Sequence, residues 1–150
     1  MSGELATAGL GALFLAALVA ATLLPAQSEL MLTAMLLTDR WEPVVLVAIA
    51  TAGNVAGSTV NWLIGRFLSD RRDARWFPVP AAALARAEQR FQRFGLPVLL
   101  LSWVPIIGDP ITLVAGLLRV RPLPLLVIVT IAKGARYAVL AAIVLGVVRW

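Results

Sequence analysis

The stretch LLLSWVPIIGDPITLVAGLL, residues 99–118, decides the fold, because it is apolar enough for a membrane helix and yet is broken in its middle. Pro105 and Pro110 surround Gly108 there, and a straight α-helix does not tolerate this arrangement in its interior. We therefore predict that residues 94–121 form a helix, a break at these three residues and a returning helix. Basic residues lie at both ends of the segment, which indicates that both ends are on the same side of the membrane. The segment is therefore predicted to be re-entrant rather than spanning.

The composition of the whole chain is that of a membrane protein. Of its 150 residues, 61% are hydrophobic and 14% are charged, whereas a soluble domain is about half apolar and about a quarter charged. The chain has no His and no Cys, which excludes disulfides, thiol chemistry, Ser-His-Asp catalysis and metal sites built on those residues. We expect no enzyme activity, metal or cofactor. The pI near 11.3 reflects arginines beside apolar segments, so we expect no nucleic-acid partner.

Three segments are long enough to cross a bilayer, which takes about 20 mainly apolar residues. They are residues 5–24, 43–66 and 122–148. A signal peptide is an alternative for the first, but Glu4 precedes it and no basic residue does, so we favour a retained helix. Residues 25–42 are too short for a further span, carry Pro25 at their start, and are predicted to be re-entrant.

Residues 67–93 are predicted to be a cytoplasmic basic loop. From Arg66 to Arg93 the chain holds seven arginines and three acids, a net charge of +4, and the positive-inside rule places such loops in the cytoplasm. The part after Pro80 is predicted to be an amphipathic helix that ends at Gly95. Its apolar and basic faces are Leu84, Ala87, Phe91 and Phe94 against Arg86, Arg90 and Arg93. We expect these arginines to face anionic headgroups of the inner leaflet, with a solvated linker helix as the alternative.

A stripe of small residues runs along the second span at every fourth position. It consists of Gly53, Gly57, Asn61 and Gly65. Small residues at this spacing let another helix approach closely, and Asn61 could hydrogen-bond to it. The stripe predicts close helix packing, either within the chain or against a second copy in a homo-oligomer.

A weak internal repeat relates the two halves of the chain. When the sequence is shifted by 80 residues, Pro25 and Glu29 fall opposite Pro105 and Asp109. In each half, the broken piece precedes a proline that opens a long span. The first piece would dip in from outside and the second from inside, which is the inverted-repeat plan of many transporters. We therefore predict an all-α polytopic membrane protein with two opposed re-entrant helical hairpins and an amphipathic cytoplasmic helix.

Four ionisable residues are predicted to lie at membrane depth. They are Glu29, Asp109, Lys133 and Arg136. Each charge there costs at least about 2.5–3.5 kcal/mol, so such residues usually face a cavity and pair. One neutral arrangement pairs Asp109 with Arg136 and Glu29 with Lys133. The cluster could be structural, but we favour a transport site that binds a charged headgroup or carries a proton, because a desolvated carboxylate can exchange protons near neutral pH. Which acid would titrate is left open.

Several short motifs follow one another along the chain. They are Leu24-Pro25-Ala26-Gln27-Ser28-Glu29, Gly53-Asn54-x-x-Gly57 with Gly65-Arg66-Phe67, Arg93-Phe94-Gly95, Leu101-Ser102-Trp103-Val104-Pro105-x-x-Gly108-Asp109, Ala115-Gly116 and Lys133-Gly134-x-Arg136-Tyr137. The ordered set resembles the DedA family of membrane proteins (SNARE-associated or VTT domain), in particular its short YqaA-type branch.

The resemblance implies a protein of the bacterial inner membrane that moves phospholipid or polyprenyl-phosphate lipid across the bilayer and supports envelope homeostasis. The acid of the family's first motif corresponds to Glu29. Its second motif, Arg-Phe-x-Pro-x-x-Arg, falls on residues 102–108, where Ser102 and Gly108 replace both arginines. Arg136 could supply the missing charge. The alternatives are a proton-coupled exporter of small solutes or cations and a non-transporting membrane scaffold.

Overall fold

The protein is helical throughout the regular structure that a computed structural model describes, which covers residues 2–21, 26–71, 75, 80–105 and 108–148. The helices are α1 (Ser2–Ala20), α2 (Ala26–Leu36), α3 (Pro43–Leu68), α4 (Ala81–Phe94), α5 (Gly108–Leu117) and α6 (Pro122–Val148), with 3-10 helices at Ser69–Arg71 and Leu96–Trp103. Three of them, α1, α3 and α6, are long and apolar enough to cross a membrane. The predicted all-α membrane class is therefore confirmed.

The helix α3 is the centre of the bundle, since α1, α2, α5 and α6 all pack against it. Two apolar clusters mark its two ends. Near Pro43, Leu46 and Ala50 pack with Leu13 of α1 and Leu32 of α2. Near Leu68, the Trp62 cluster gathers residues of the 3-10 helix, α5 and α6. We call these two ends of the bundle the Pro43 end and the Leu68 end.

The small-residue stripe of α3 packs mainly against α1. A Cβ on Gly53 would overlap the carbonyl oxygen of Phe14, and a Cβ on Gly57 would lie 2.5 Å from that of Leu18. Asn61 completes the row, since its Nδ2 donates to the carbonyl of Ala21 at 2.8 Å. The contacts advance together along both helices, so α1 runs parallel to α3. The predicted close packing therefore occurs within the chain.

The helices α1 and α2 form an antiparallel hairpin. While α1 runs towards the Leu68 end, α2 returns, and a Cβ built on Gly9 would lie 3.6 Å from Met35 and 3.0 Å from Trp41. The hairpin therefore opens at the Pro43 end. Sequence reasoning assigned a re-entrant element to residues 25–42 alone, whereas here α2 is a single arm and α1 is the other. Pro25, the predicted break, lies outside the described residues.

The 3-10 helix Leu96–Trp103 and α5 form a second hairpin, which opens at the opposite end. The 3-10 helix leads inward to Trp103. The helix α5 returns parallel to α3, because Asp109 and Asn54 share Lys133 at one level and Leu117 packs with Leu68 at the other. A Cβ on Gly116 would overlap the carbonyl oxygen of Trp62. At the turn, Gly108 packs on the backbone of Ser102, whose carbonyl oxygen would lie 2.6 Å from a Cβ at position 108.

The break between these two arms is narrower than the sequence predicted. Pro105 lies in the turn, but Gly108 is the first residue of α5 and Pro110 the third. Pro110 is therefore inside the helix and does not break it. Its missing N–H has no consequence there, because the first amides of a helix have no intrahelical partner.

The two long helices α3 and α6 begin in the same way. Each starts at a proline, Pro43 or Pro122, whose fixed φ suits the first turn. A residue with positive φ precedes each proline, Asp39 at 51° and Arg119 at 56°. The chain therefore makes a similar tight reversal after α2 and after α5, and α6 then runs antiparallel to α3, from the Trp62 cluster to the Leu46 cluster.

The predicted amphipathic helix is α4, at the Leu68 end. Leu84 packs with Leu68 and Leu117. Gly95 stops the helix with φ of 64° and donates its N–H to the Phe91 carbonyl at 2.8 Å, as predicted. Phe94 differs from the expectation, since 58% of its surface is exposed and its ring lies under the Arg93 guanidinium. The basic face is exposed, and it consists of Arg86, Arg90 and Arg93.

Candidate functional site

A polar cluster lies inside the bundle around α6. Lys133, Arg136 and Tyr137 occupy neighbouring positions on the buried side of this helix, and Lys133 is only 1% exposed. Gly134 of the same helix faces Thr51 of α3, and a Cβ there would make an ordinary van der Waals contact at 3.4 Å. Buried cations need partners, and both cations have them.

Lys133 is held by one charged and one neutral partner. Its Nζ lies 2.7 Å from Oδ1 of Asp109, near the start of α5. It also donates to Oδ1 of Asn54, on α3. The ammonium therefore joins α6 to the second hairpin and to the central helix.

Arg136 contacts both hairpins, through an ion pair with the first and a hydrogen bond to the second. Its Nε lies 3.3 Å from Oε1 of Glu29, in the first turn of α2. Its Nη1 donates to the carbonyl of Trp103 at 3.4 Å, and its guanidinium lies 5.0 Å from the centroid of the Tyr137 ring. Arg136 therefore reaches the 102–108 segment, where the family motif carries arginines and this chain has none.

The ion pairs are the reverse of the neutral arrangement that was named above as one possibility. Asp109 pairs with Lys133, and Glu29 pairs with Arg136. The direction of the hairpins explains this outcome. On α6, Lys133 lies nearer the Leu68 end, where the hairpin carrying Asp109 opens, and Arg136 lies one turn nearer the Pro43 end. Each base therefore meets the hairpin that approaches from its own side.

Three neutral residues that sequence reasoning did not assign to the site connect these pairs. Asn54 donates from Nδ2 to Tyr137 Oη at 3.0 Å and to the Ala17 carbonyl at 3.1 Å. Tyr137 Oη shares a hydrogen bond of 2.8 Å with Ser28 Oγ. All three side chains are almost completely buried. A sequence signal existed, because Asn54 adjoins the glycine stripe and Tyr137 is the one tyrosine of the chain.

The acids and bases of the cluster differ in their access to the surroundings. The side chains of Asp109 and Glu29 are 18% and 31% exposed, whereas those of Lys133 and Arg136 are 1% and 9% exposed. The carboxylates therefore form the outer face of the cluster and the cations its inner face. An incoming anion or a proton would meet the carboxylates first.

Within the part of the chain that the structure describes, no group of three or more His, Cys, Asp or Glu side chains is placed to hold a metal ion. The charges of the cluster allow electrostatic interactions. The cluster can bind an anion with the two cations, bind protons with the two carboxylates, or hold the hairpins together.

Comparison with known proteins shows a family match that covers the residues of this cluster. The profile of the VTT domain matches residues 24–145, which include all four charged residues and the three neutral ones. The chain belongs to the VTT domain family. The DedA resemblance drawn from the motifs is thereby confirmed. The match begins after α1, although α1 covers much of the α3 stripe in this VTT-domain protein.

Curated relatives agree with this membership. The chain is 40% identical over 139 residues to "Inner membrane protein YqaA" of Escherichia coli strain K12 and of Shigella flexneri, covering 92% of this chain and 93% of each relative. It is 31% identical to an "Uncharacterized protein" of Haemophilus influenzae, covering 85% of this chain and 82% of that relative. No solved structure matches this VTT-domain protein. Its relatives and its three apolar helices identify it as a membrane protein.

Proposed function

We propose that this VTT-domain protein is a transporter of the inner membrane that moves a lipid with an anionic headgroup across the bilayer. The observation that supports the proposal best is the pairing of Asp109 with Lys133 and of Glu29 with Arg136 on one side of α6. Buried charges in membrane segments are costly and commonly mark substrate or proton pathways. Because each hairpin contributes one carboxylate to the cluster, movement of either hairpin would also change an ion pair.

The two hairpins are proposed to carry half-membrane helices that enter from opposite leaflets, and the other arm of the first hairpin, α1, is one of the candidate spans. Their short helices α2 and α5 have 11 and 10 residues, or about 16 and 15 Å, which is half of a hydrocarbon core of about 30 Å. The hairpins open at opposite ends of α3, and the reversals at Asp39 and Arg119 repeat one another. These features favour an inverted repeat with its tips near the midplane.

The Leu68 end is proposed to face the cytoplasm. The segment from Arg66 to Arg93 has a net positive charge, and α4 within it packs at this end through Leu84. The ion pair between Arg119 and Asp70 shows that the start of α6 lies at the same end. Cytoplasmic loops of membrane proteins are enriched in basic residues. The exposed arginines of α4 would then lie beside the anionic headgroups of the inner leaflet, which are their proposed partners.

A lipid phosphate would enter the cluster by exchange with a carboxylate. Arg136 can bind a phosphate through two parallel hydrogen bonds, and Lys133 can add a point charge. Because Glu29 and Asp109 are the exposed members of their pairs, they can leave without moving α6. A proton on either carboxylate weakens its ion pair and frees the cation. The headgroup would cross through the polar cluster while the acyl chains stay in the bilayer, and no covalent bond changes.

Lipid movement in proteoliposomes tests the proposal. The purified protein is reconstituted with fluorescent anionic or zwitterionic phospholipid, and outer-leaflet label is bleached with a membrane-impermeant reductant. We expect faster exchange of the anionic probe, and at least a tenfold loss with Glu29→Gln or Asp109→Asn. Glu42→Gln, which removes an exposed acid before α3, should retain the rate. Flux of a small cation without lipid movement would instead support the exporter, and full activity of both neutralised variants would reject the site.

A further inference from the structure

The hydrogen bonds between the two ion pairs have a defined direction. An ammonium has only donors, so the atom of Asn54 that faces Lys133 must be its oxygen. The amide nitrogen of Asn54 then points to Tyr137, and Tyr137 Oη accepts that hydrogen bond. Tyr137 Oη and Ser28 Oγ share a further hydrogen bond, in which Tyr137 can donate because its oxygen already accepts from Asn54.

This directed chain ends at the second ion pair. Ser28 precedes Glu29 in the first turn of α2, and Tyr137 follows Arg136 on α6 with its ring against the guanidinium. The hydrogen-bonded chain therefore includes the residues that adjoin Glu29 and Arg136 in the sequence. At its other end it contacts Lys133, the base of the first pair. Because Asn54 also donates to the Ala17 carbonyl, this set of polar contacts joins five helices, α1, α2, α3, α5 and α6.

We propose that Asn54 and Tyr137 are positioning residues that couple the two ion pairs, so that a change at Asp109 alters the Glu29–Arg136 pair. When Asp109 loses its charge or leaves Lys133, the ammonium depends on Asn54 alone. The Asn54 amide then turns towards Lys133, and its bond to Tyr137 weakens. Tyr137 and Ser28 shift in consequence, and with them the positions of Arg136 and Glu29. Buried hydrogen-bond networks in a low dielectric transmit such changes effectively.

The coupling deepens the proposed function, but its test does not depend on transport. Glu29→Gln, Asp109→Asn and the double variant are purified as full chains in detergent, and their apparent melting temperatures are compared. Groups in one polar network show non-additive effects on stability. We expect the double variant to depart from the sum of the single shifts by about 2–6 °C, from interaction energies typical of networks and the size of this chain.

The decisive measurement repeats this cycle in a Tyr137→Phe background. The phenylalanine keeps the ring beside Arg136 and removes only the hydroxyl. We expect the two neutralisations to become additive within about 1 °C, the margin for independent sites. Ser58→Ala is the matched control, since it removes a buried hydroxyl that donates only to the Asn54 carbonyl. This control should lower the melting temperature and preserve the non-additivity.

Other outcomes would overturn the coupling. Lys133 and Arg136 are near neighbours on α6, so the pairs could interact through space alone. In that case the non-additivity would persist unchanged in Tyr137→Phe. Additive effects in the native background would likewise reject the proposal. If Tyr137→Phe does not fold, Ser28→Ala interrupts the same chain one bond later and serves in its place. If the native protein moved no lipid, the transport proposal would fail while these stability results would still test the coupling. The two proposals can therefore fail independently.

Discussion

Asn54 and Lys133 stand the same number of residues after the prolines that open α3 and α6, and their side chains hydrogen-bond to each other. Because these helices are antiparallel, equivalent positions meet only at the level where the helices cross. That level carries Asp109 and Tyr137 as well. The two halves of the chain thus meet at a polar contact between an amide and an ammonium.

Removing one partner of the Asp109–Lys133 pair should destabilise the protein more than removing both. Asp109→Leu leaves a buried ammonium with Asn54 alone, and breaking such a pair typically costs about 3–5 kcal/mol. The double variant Asp109→Leu/Lys133→Met should recover most of that loss, since an apolar pair of similar volume needs no partner. Unfolding in detergent measures both effects. Recovered stability without recovered lipid movement would separate the functional role from the structural one.

A side chain at Gly116 should disrupt the crossing of α3 and α5. Its Cβ would overlap the carbonyl oxygen of Trp62, and backbone cannot move aside as a flexible side chain can. Gly116→Val is expected to lose about 1–3 kcal/mol or more of stability, seen as a lower melting temperature. Gly146→Ala is the control, because nothing lies within 4 Å of its Cβ. Alanine favours the helix, so this variant should be equally or slightly more stable; a native-like Gly116→Val would contradict the close crossing.

The Arg119–Asp70 pair should contribute little, in contrast to the buried pairs. Its side chains are 58% and 69% exposed, and exposed ion pairs are worth about 0–1 kcal/mol. Asp70→Asn should therefore change the melting temperature by only a degree or two, and added salt should reduce even that difference. A loss as large as that of Asp109→Leu would show that the reversal before α6 depends on this contact.

The basic face of α4 should respond to the lipid surface. Because the chain has no cysteine, a single cysteine at Gln89 can carry an environment-sensitive dye in nanodiscs. We expect a spectral shift when anionic lipid replaces zwitterionic lipid, and its loss in Arg86→Gln/Arg90→Gln/Arg93→Gln. Arg40→Gln, an exposed arginine before α3, should leave the shift intact. A response that does not depend on the three arginines would assign α4 to the solvated-linker alternative.

The sequence predicts those features of the protein that would cost much free energy in the wrong environment or position. Runs of apolar residues, prolines at helix starts and charges inside apolar segments all leave clear patterns, so the helical class and the four charged residues could be named. The pairing of those charges could not be assigned from residue types, because it depends on which way each hairpin approaches α6. Pro110 was misplaced because a proline in a first turn and one in a break look alike in sequence.

The neutral part of the cluster escaped sequence reasoning for a different reason. Serine packs helices together in membranes, and serine and asparagine hydrogen-bond between them without any transport role. Ser28, Asn54 and Tyr137 therefore stand out only through their contacts. The role of α1 escaped as well. A long apolar helix predicts a span, but only the row of contacts with Gly53 and Gly57 shows that it runs parallel to α3. Its hairpin with α2 is shown by the contacts of Gly9 with Met35 and Trp41.

The cluster holds two cations and two anions and is therefore electrically neutral as a whole. If the hairpins rock while both pairs stay intact, no net charge moves through the transmembrane electric field. Voltage would then do no work on the protein itself, although each elementary charge displaced through 100 mV is worth about 2.3 kcal/mol. Any dependence on membrane potential would have to come from the cargo or from a co-transported proton, and electrical recording of the empty and loaded carrier would tell these apart.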